Sequence, residues 1–182
     1  MGLVEAGALE AGLAEIRRSP ADGGTLELIV RRPAVDEREV LDEGVLDLED
    51  GLVGDTWRAR GSRSTADGSP NPETQLTLIN ARLLALIEPD RGRWPLAGDQ
   101  LVVDLDLGES NLPPGTRLAI GSAVIEITAE PHTGCAKFSR RFGSAALRFI
   151  NSPVGRSLHL RGVNARVVTP GTVRAGDAVR KL

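Results

Sequence analysis

Aromatic residues are scarce in this 182-residue chain, which has three phenylalanines, two tryptophans and no tyrosine. So few flat side chains leave little material for a platform on which bases could stack. A net charge of -3 at pH 7 likewise supplies no concentrated positive surface of the kind that neutralises phosphates, so nucleic acid is not expected as a partner. Cysteine is reduced to a single residue, Cys135, which excludes an internal disulfide and removes any sign of an oxidising compartment; cytoplasm is the simplest reading. No apolar run approaches the length of a bilayer span, and residues 1–16 lack the basic start and continuous apolar stretch of a signal peptide, so no membrane association is expected. Also missing are Gly-x-Gly-x-x-Gly, a phosphate loop ending in Gly-Lys, and a Gly-x-Ser-x-Gly elbow, which removes the commonest nucleotide-binding and hydrolase readings.

What is present reads as one globular domain. Hydrophobic residues make up 41% and charged residues 26%, ordinary values for a chain long enough to bury its own core. Residues 3–18 place Leu3, Leu9, Leu13 and Ile16 at helical spacing, weakened by Gly2, Gly7 and Gly12. Residues 25–31 alternate Leu26, Leu28 and Val30 against Glu27, Ile29 and Arg31, the pattern of a half-buried strand. Residues 58–73 are rich in Arg, Gly, Ser, Asp and Pro without apolar periodicity, which predicts a long loop, and loops of that length often bind something. Residues 76–79 form a short strand, after which Asn80 caps a helix carrying Leu83, Leu84, Leu86 and Ile87 until Pro89 stops it.

Further along, Leu101, Val103, Leu105 and Leu107 alternate with Val102, Asp104 and Asp106, predicting a strand whose second face meets solvent. Residues 117–128 read as a hairpin broken at Gly121-Ser122 and ended by Pro131. A short helix is expected over residues 144–151, and closing strands over 163–168 and 178–181. Many short strands with two or three helices imply a mainly β, α+β fold built on a closed or nearly closed barrel.

The chemistry concentrates in one stretch, from Pro131 through His132, Gly134, Cys135, Lys137, Arg140 and Arg141 to Gly143. Cations next to a thiol favour the thiolate, which is both the nucleophile and the soft metal ligand. A lone cysteine also serves as a small core residue, so burial decides between the two. His132 is a candidate to orient the thiol or act as a base. A zinc site from His132, Cys135 and His159 lacks the usual fourth ligand. Arg58, Arg60 and Arg63 in the long loop, and Arg161 before Gly162, present guanidinium forks suited to phosphate or a pterin carbonyl. Asp55, Asp99 and Asp177 each follow a glycine, as turn acids do.

Taken in order, several segments resemble the stand-alone MOSC domain. They are Gly51-Leu52-Val53-Gly54-Asp55, Leu96-Ala97-Gly98-Asp99-Gln100-Leu101, Gly115-Thr116-Arg117-Leu118-Ala119-Ile120-Gly121, the Cys135 stretch, Arg161-Gly162, and Gly171-Thr172-Val173-Arg174-Ala175-Gly176-Asp177. The resemblance divides the chain into an N-terminal extension, 1–25, and a MOSC domain, 26–182, with a β-barrel-like fold. It implies a molybdenum cofactor (molybdopterin), with Cys135 as the molybdenum ligand and catalytic residue, His132 beside it, and Lys137, Arg140, Arg161, Arg58, Asp99 and Gln100 toward the phosphate or pterin. The activity so implied is an oxidoreductase acting on N-oxygenated small molecules and served by a separate electron-donor protein. The resemblance equally implies a sulfur carrier, in which Cys135 holds a persulfide loaded by a separate cysteine desulfurase that carries its own pyridoxal phosphate. A non-catalytic binding barrel with an incidental thiol is the third reading.

Overall fold

Seven strands close on themselves in the computed structural model, which describes residues 6–182. In chain order the elements are α1 (Ala6–Ile16), β1 (Gly24–Arg31), β2 (Glu39–Leu41), β3 (Glu43–Asp47), β4 (Gly51–Leu52), α2 (Trp57–Arg60), β5 (Leu76–Asn80), α3 (Ala81–Ile87), β6 (Leu101–Asp104), β7 (Arg117–Ile120) and β8 (Ala123–Ile127). They continue with α4 (Ala136–Phe142), α5 (Ser144–Ile150), α6 (Pro153–Ser157), β9 (Val163–Thr169), β10 (Gly171–Arg174) and β11 (Ala178–Lys181). The order around the barrel is β11-β7-β8-β9-β5-β6-β1, with β1 pairing back to β11; β2 extends the far side of β1, and β10-β3-β4 form a separate small sheet. Closure leaves no free edge among the seven strands.

Every barrel pairing is antiparallel except β5 with β6, and a parallel neighbour needs a crossover. Here α3 and the 3-10 turn Arg91–Ala97 supply it. Asn80 starts that crossover as expected, its side-chain oxygen accepting from the Arg82 and Leu83 N–H groups. The helices cover one flank of the barrel, so β5 and β6 are buried on both faces. Leu78, Leu101 and Val103 point into the barrel, while Ile79 and Val102 point into a second cluster with Leu83, Leu84, Ile87, Phe138, Phe142 and Ile150. Each fully buried Leu or Ile contributes about 1.5–3 kcal/mol relative to exposure.

That second cluster corrects one expectation. The second face of the 101–107 segment meets solvent only in part: Val102 is buried, while the partly exposed Asp104 is held in the fork of Arg82. The strand also ends at Asp104. In β1 the alternation slips at a bulge between Leu26 and Leu28, so Ile29 joins Leu26 inside the barrel and Leu28 turns to the helical cluster.

Other elements escaped the pattern. The 58–73 stretch opens as the end of α2 and closes in the 3-10 turn Pro72–Thr74, leaving residues 61–71 without helix or strand. Helices α4 and α6 lie on either side of the single helix expected over 144–151 and were not anticipated. Pro153 sits in the first turn of α6, with Ser152 accepting from the Gly155 N–H. The helix expected over 3–18 is seen over Ala6–Ile16, residues 3–5 lying outside the described part.

Candidate functional site

Helix α4 exists because Phe138 and Phe142, four residues apart, face the same way into the helical cluster with ring centroids 4.8 Å apart. Their burial turns the start of the helix outward, and Cys135 is the residue that precedes its first turn. Gly134 fixes the approach: a Cβ there would lie 2.7 Å from both the Ile150 and Leu147 side chains. Cys135 is therefore exposed, which removes the reading of a buried core cysteine. Partial burial pushes its thiol pKa up. The Phe138 and Lys137 backbone N–H groups and the Arg161 and Arg141 guanidiniums outweigh that and hold it below its ordinary value.

The thiol opens onto a pocket of about 280 Å³ whose wall carries six cationic side chains: Arg32, Arg38, Arg60, Lys137, Arg141 and Arg161. Such a concentration on a chain of net charge -3 requires support from behind. Two Gly-Asp pairs provide it. Asp55, with a fully buried side chain, accepts from Arg32 Nε at 2.8 Å and Nη2 at 2.7 Å, while Arg32 Nη1 donates to the Gly98 carbonyl. Asp99, equally buried, accepts from Arg161 Nη1 at 2.9 and 2.7 Å, and Arg161 Nη2 donates to the Ala97 carbonyl. The turn ahead of Asp99 is thus gripped by one arginine from each side. Asp55 and Asp99 are not solvated turn acids; they orient guanidinium groups at the pocket wall. Arg161 also lies 5.2 Å over the Phe138 ring, tying it to α4.

Two of these arginines keep a hydrogen-bond donor in reserve. Arg38 Nε and Arg161 Nε are buried and have no partner. Unsatisfied buried donors are rare enough to call for an explanation, and a bound acceptor or water is the usual one. Desolvation pushes the Arg38 and Arg60 pKa values down, the cost of crowding like charges in a half-buried wall.

The other expected residues are not all brought here. His132 lies behind Arg161 rather than beside the thiol, with Nδ1 3.5 Å from Asp99 Oδ1 and without a hydrogen bond. Burial, then repulsion from Arg161, lowers its pKa to about 4, so the ring is neutral at pH 7. Arg58 turns away to Glu49 and Asp50, and Arg140 faces solvent outside the pocket lining. Gln100 is buried in the barrel, where its side chain accepts from Thr77 N–H and hydroxyl and donates to the Gln75 carbonyl. Of the long loop only Arg60 borders the Cys135 pocket.

A larger cavity, about 680 Å³, lies on the far side of Arg161 and is lined by His132, Thr133, Asn151, His159 and Asn164 among others. Its lining does not include Cys135. No group of three His, Cys, Asp or Glu side chains suited to a metal ion occurs among the described residues. Nor, among them, is any helix long and apolar enough to cross a membrane.

Arg32, Arg38 and Asp36 went unremarked in the sequence. The usable signal was the pairing of two Gly-Asp turns with arginines at element ends, Arg32 one residue beyond β1 and Arg161 two residues before β9.

Comparison with known proteins places this geometry in context. The model of the MOSC domain matches residues 71–180, a span that holds Asp99, Cys135 and Arg161 and begins after Arg32, Arg38 and Asp55. No curated protein matches the sequence. Among solved structures, the YuaD protein from Bacillus subtilis superposes with a TM-score of 0.64 at 18% identity, covering 86% of this chain and 93% of that one. YiiM from Escherichia coli gives 0.56 at 22% identity over 87% and 69%. YiiM from Geobacillus stearothermophilus gives 0.54 at 13% over 89% and 73%. At these identities the likeness is one of fold.

Proposed function

The chain belongs to the MOSC domain family, and from that premise we propose that it binds the molybdenum cofactor at the Cys135 pocket and serves as an oxidoreductase toward N-oxygenated small molecules. One observation carries the reading: an exposed thiol, its pKa held down, on a pocket wall bearing six cations.

The residues suit such a group. Molybdopterin carries a phosphate, and guanidinium forks match phosphate oxygens. Arg38 and Arg161, both on the pocket lining, each retain an unpartnered buried Nε. A thiolate is a soft ligand, as a molybdenum centre requires. At about 280 Å³ the pocket falls just under the roughly 300–1,000 Å³ of small-molecule sites, a size for the anionic part of the cofactor rather than for all of it.

In this reading Cys135 ligates the metal, and Arg32, Arg38, Arg60, Lys137, Arg141 and Arg161 hold the anionic groups. Asp55 and Asp99 keep Arg32 and Arg161 aimed. When bound, the cofactor would supply two-electron redox chemistry for the reduction of an N-oxygenated substrate, and a separate donor protein would supply the electrons. His132, neutral and behind Arg161, keeps a proton-accepting nitrogen available without adding positive charge.

The exposure of Cys135 also favours a second reading, a sulfur carrier. A thiolate that a partner protein can reach accepts sulfur from a cysteine desulfurase as a persulfide and needs no metal. Elemental analysis for molybdenum together with pterin fluorescence decides between them, on protein from a cofactor-competent host and on Cys135→Ala. Near-stoichiometric molybdenum, lost in the variant, is expected; none in either protein rejects the cofactor reading and leaves sulfur transfer, read as persulfide by mass spectrometry.

A further inference from the structure

The segment between β1 and β2 forms part of the wall of the Cys135 pocket, contributing Ala34, Val35, Asp36 and Arg38 to its lining. Asp36 has φ +61, a left-handed conformation uncommon for residues other than glycine, though aspartate and asparagine tolerate it best. That backbone sends its carboxylate to Lys137 Nζ at 3.2 Å and Arg141 Nη2 at 3.1 Å, two residues one turn apart on α4. The neighbouring Val35 is 80% exposed, so no apolar packing explains why the segment lies where it does. Among the described residues, Asp36 is the one acidic side chain on a lining that carries six cations.

Resting on the reading of this pocket as an anion site, we propose that Asp36 is an exchangeable counter-ion. It occupies the Lys137–Arg141 pair while the pocket is free, and a phosphate monoester displaces it, releasing the 33–38 segment from the pocket wall. The two ion pairs are exposed, so each is weak enough to exchange, on the order of 0.2–1 kcal/mol. A monoanion gains little by replacing a carboxylate that already neutralises the pair, whereas a dianion brings additional charge to the four arginines beyond it. Arg141 also donates to the Leu96 carbonyl, so it stays in place when Asp36 leaves.

The test is phosphate binding by calorimetry at low ionic strength, using inorganic phosphate, on the wild-type chain and on Asp36→Asn. Asparagine keeps both the size and the tolerance of positive φ, so the variant is expected to fold, as its thermal unfolding would verify. Removing the competitor should tighten phosphate binding roughly twofold to thirtyfold, the range set by two exposed ion pairs. Amide exchange of residues 33–38 should rise in the wild-type chain when phosphate is added. Equal affinity in the two proteins, or weaker binding in the variant, overturns the counter-ion role while leaving the anion pocket standing. No phosphate binding by either protein overturns the pocket reading along with it.

Discussion

Replacing Asp99 by alanine tests whether the buried acid supports the pocket wall. The Asp99 side chain is fully buried and the Arg161 side chain 10% exposed, so the variant strands a guanidinium with one 3.3 Å bond to the Ala97 carbonyl and no partner for Nε. Breaking such a pair from one side costs about 3–5 kcal/mol, because the remaining charge is uncompensated. Arg161 borders both cavities, so water can reach it, which sets the expected loss near 3 kcal/mol. That is a large share of the roughly 5–15 kcal/mol stability of a domain. Arg161→Met alone leaves Asp99 buried without its cation and should also destabilise, whereas Asp99→Ala combined with Arg161→Met removes both charges and should recover part of the loss. Urea unfolding followed by circular dichroism measures all four proteins, with the midpoint moving and the slope unchanged. A loss below about 1 kcal/mol for Asp99→Ala, or strictly additive effects in the cycle, would refute the reasoning.

Three further outcomes follow from the same geometry. His132 has a folded-state pKa of about 4 against an ordinary 6.5, so the unfolded chain binds the extra proton first. Its contribution is complete above about pH 6.5 and is lost as pH falls toward 4, on the order of 3 kcal/mol, and His132→Asn should flatten the stability profile in that window relative to the wild-type chain. Alkylation of Cys135 by iodoacetamide should run faster at pH 7 than for an unperturbed thiol, and should slow in Arg141→Met as its apparent pKa climbs; an ordinary thiol profile in the wild-type chain would contradict the electrostatics. Gly162 has φ +105, and a Cβ there would fall 2.1 Å from the Leu78 carbonyl oxygen, so Gly162→Ala should lower the unfolding midpoint by more than the same change at Gly7, where nothing lies within 4 Å.

Local sequence carried much of the framework. Asn80 announces its helix because a side-chain oxygen next to orphan N–H groups is a local interaction. Gly121-Ser122 announces its hairpin because Gly121 takes a positive φ and the connection has two residues. Cys135 could be singled out because it is alone and has cations within a few positions. By contrast α4 was hidden: it is seven residues long, too short to be stable by propensity, and it persists because Phe138 and Phe142 dock on a cluster assembled from α1, α3 and α5.

The sequence by itself thus determined a β-rich barrel of the MOSC kind and a thiol in cationic company, since periodicity, turn chemistry and motif order are properties of neighbours along the chain. Only the tertiary structure decided which cations surround the thiol. Arg32 and Asp55 are 23 positions apart, and Arg161 and Asp99 are 62, and nothing local tells a buried arginine fork from a solvated one. Closure of the barrel brings those separations to hydrogen-bond distance, sends Arg58 and Arg140 away from the pocket, and sets His132 behind Arg161, because burial and pairing depend on what the folded chain places across the gap.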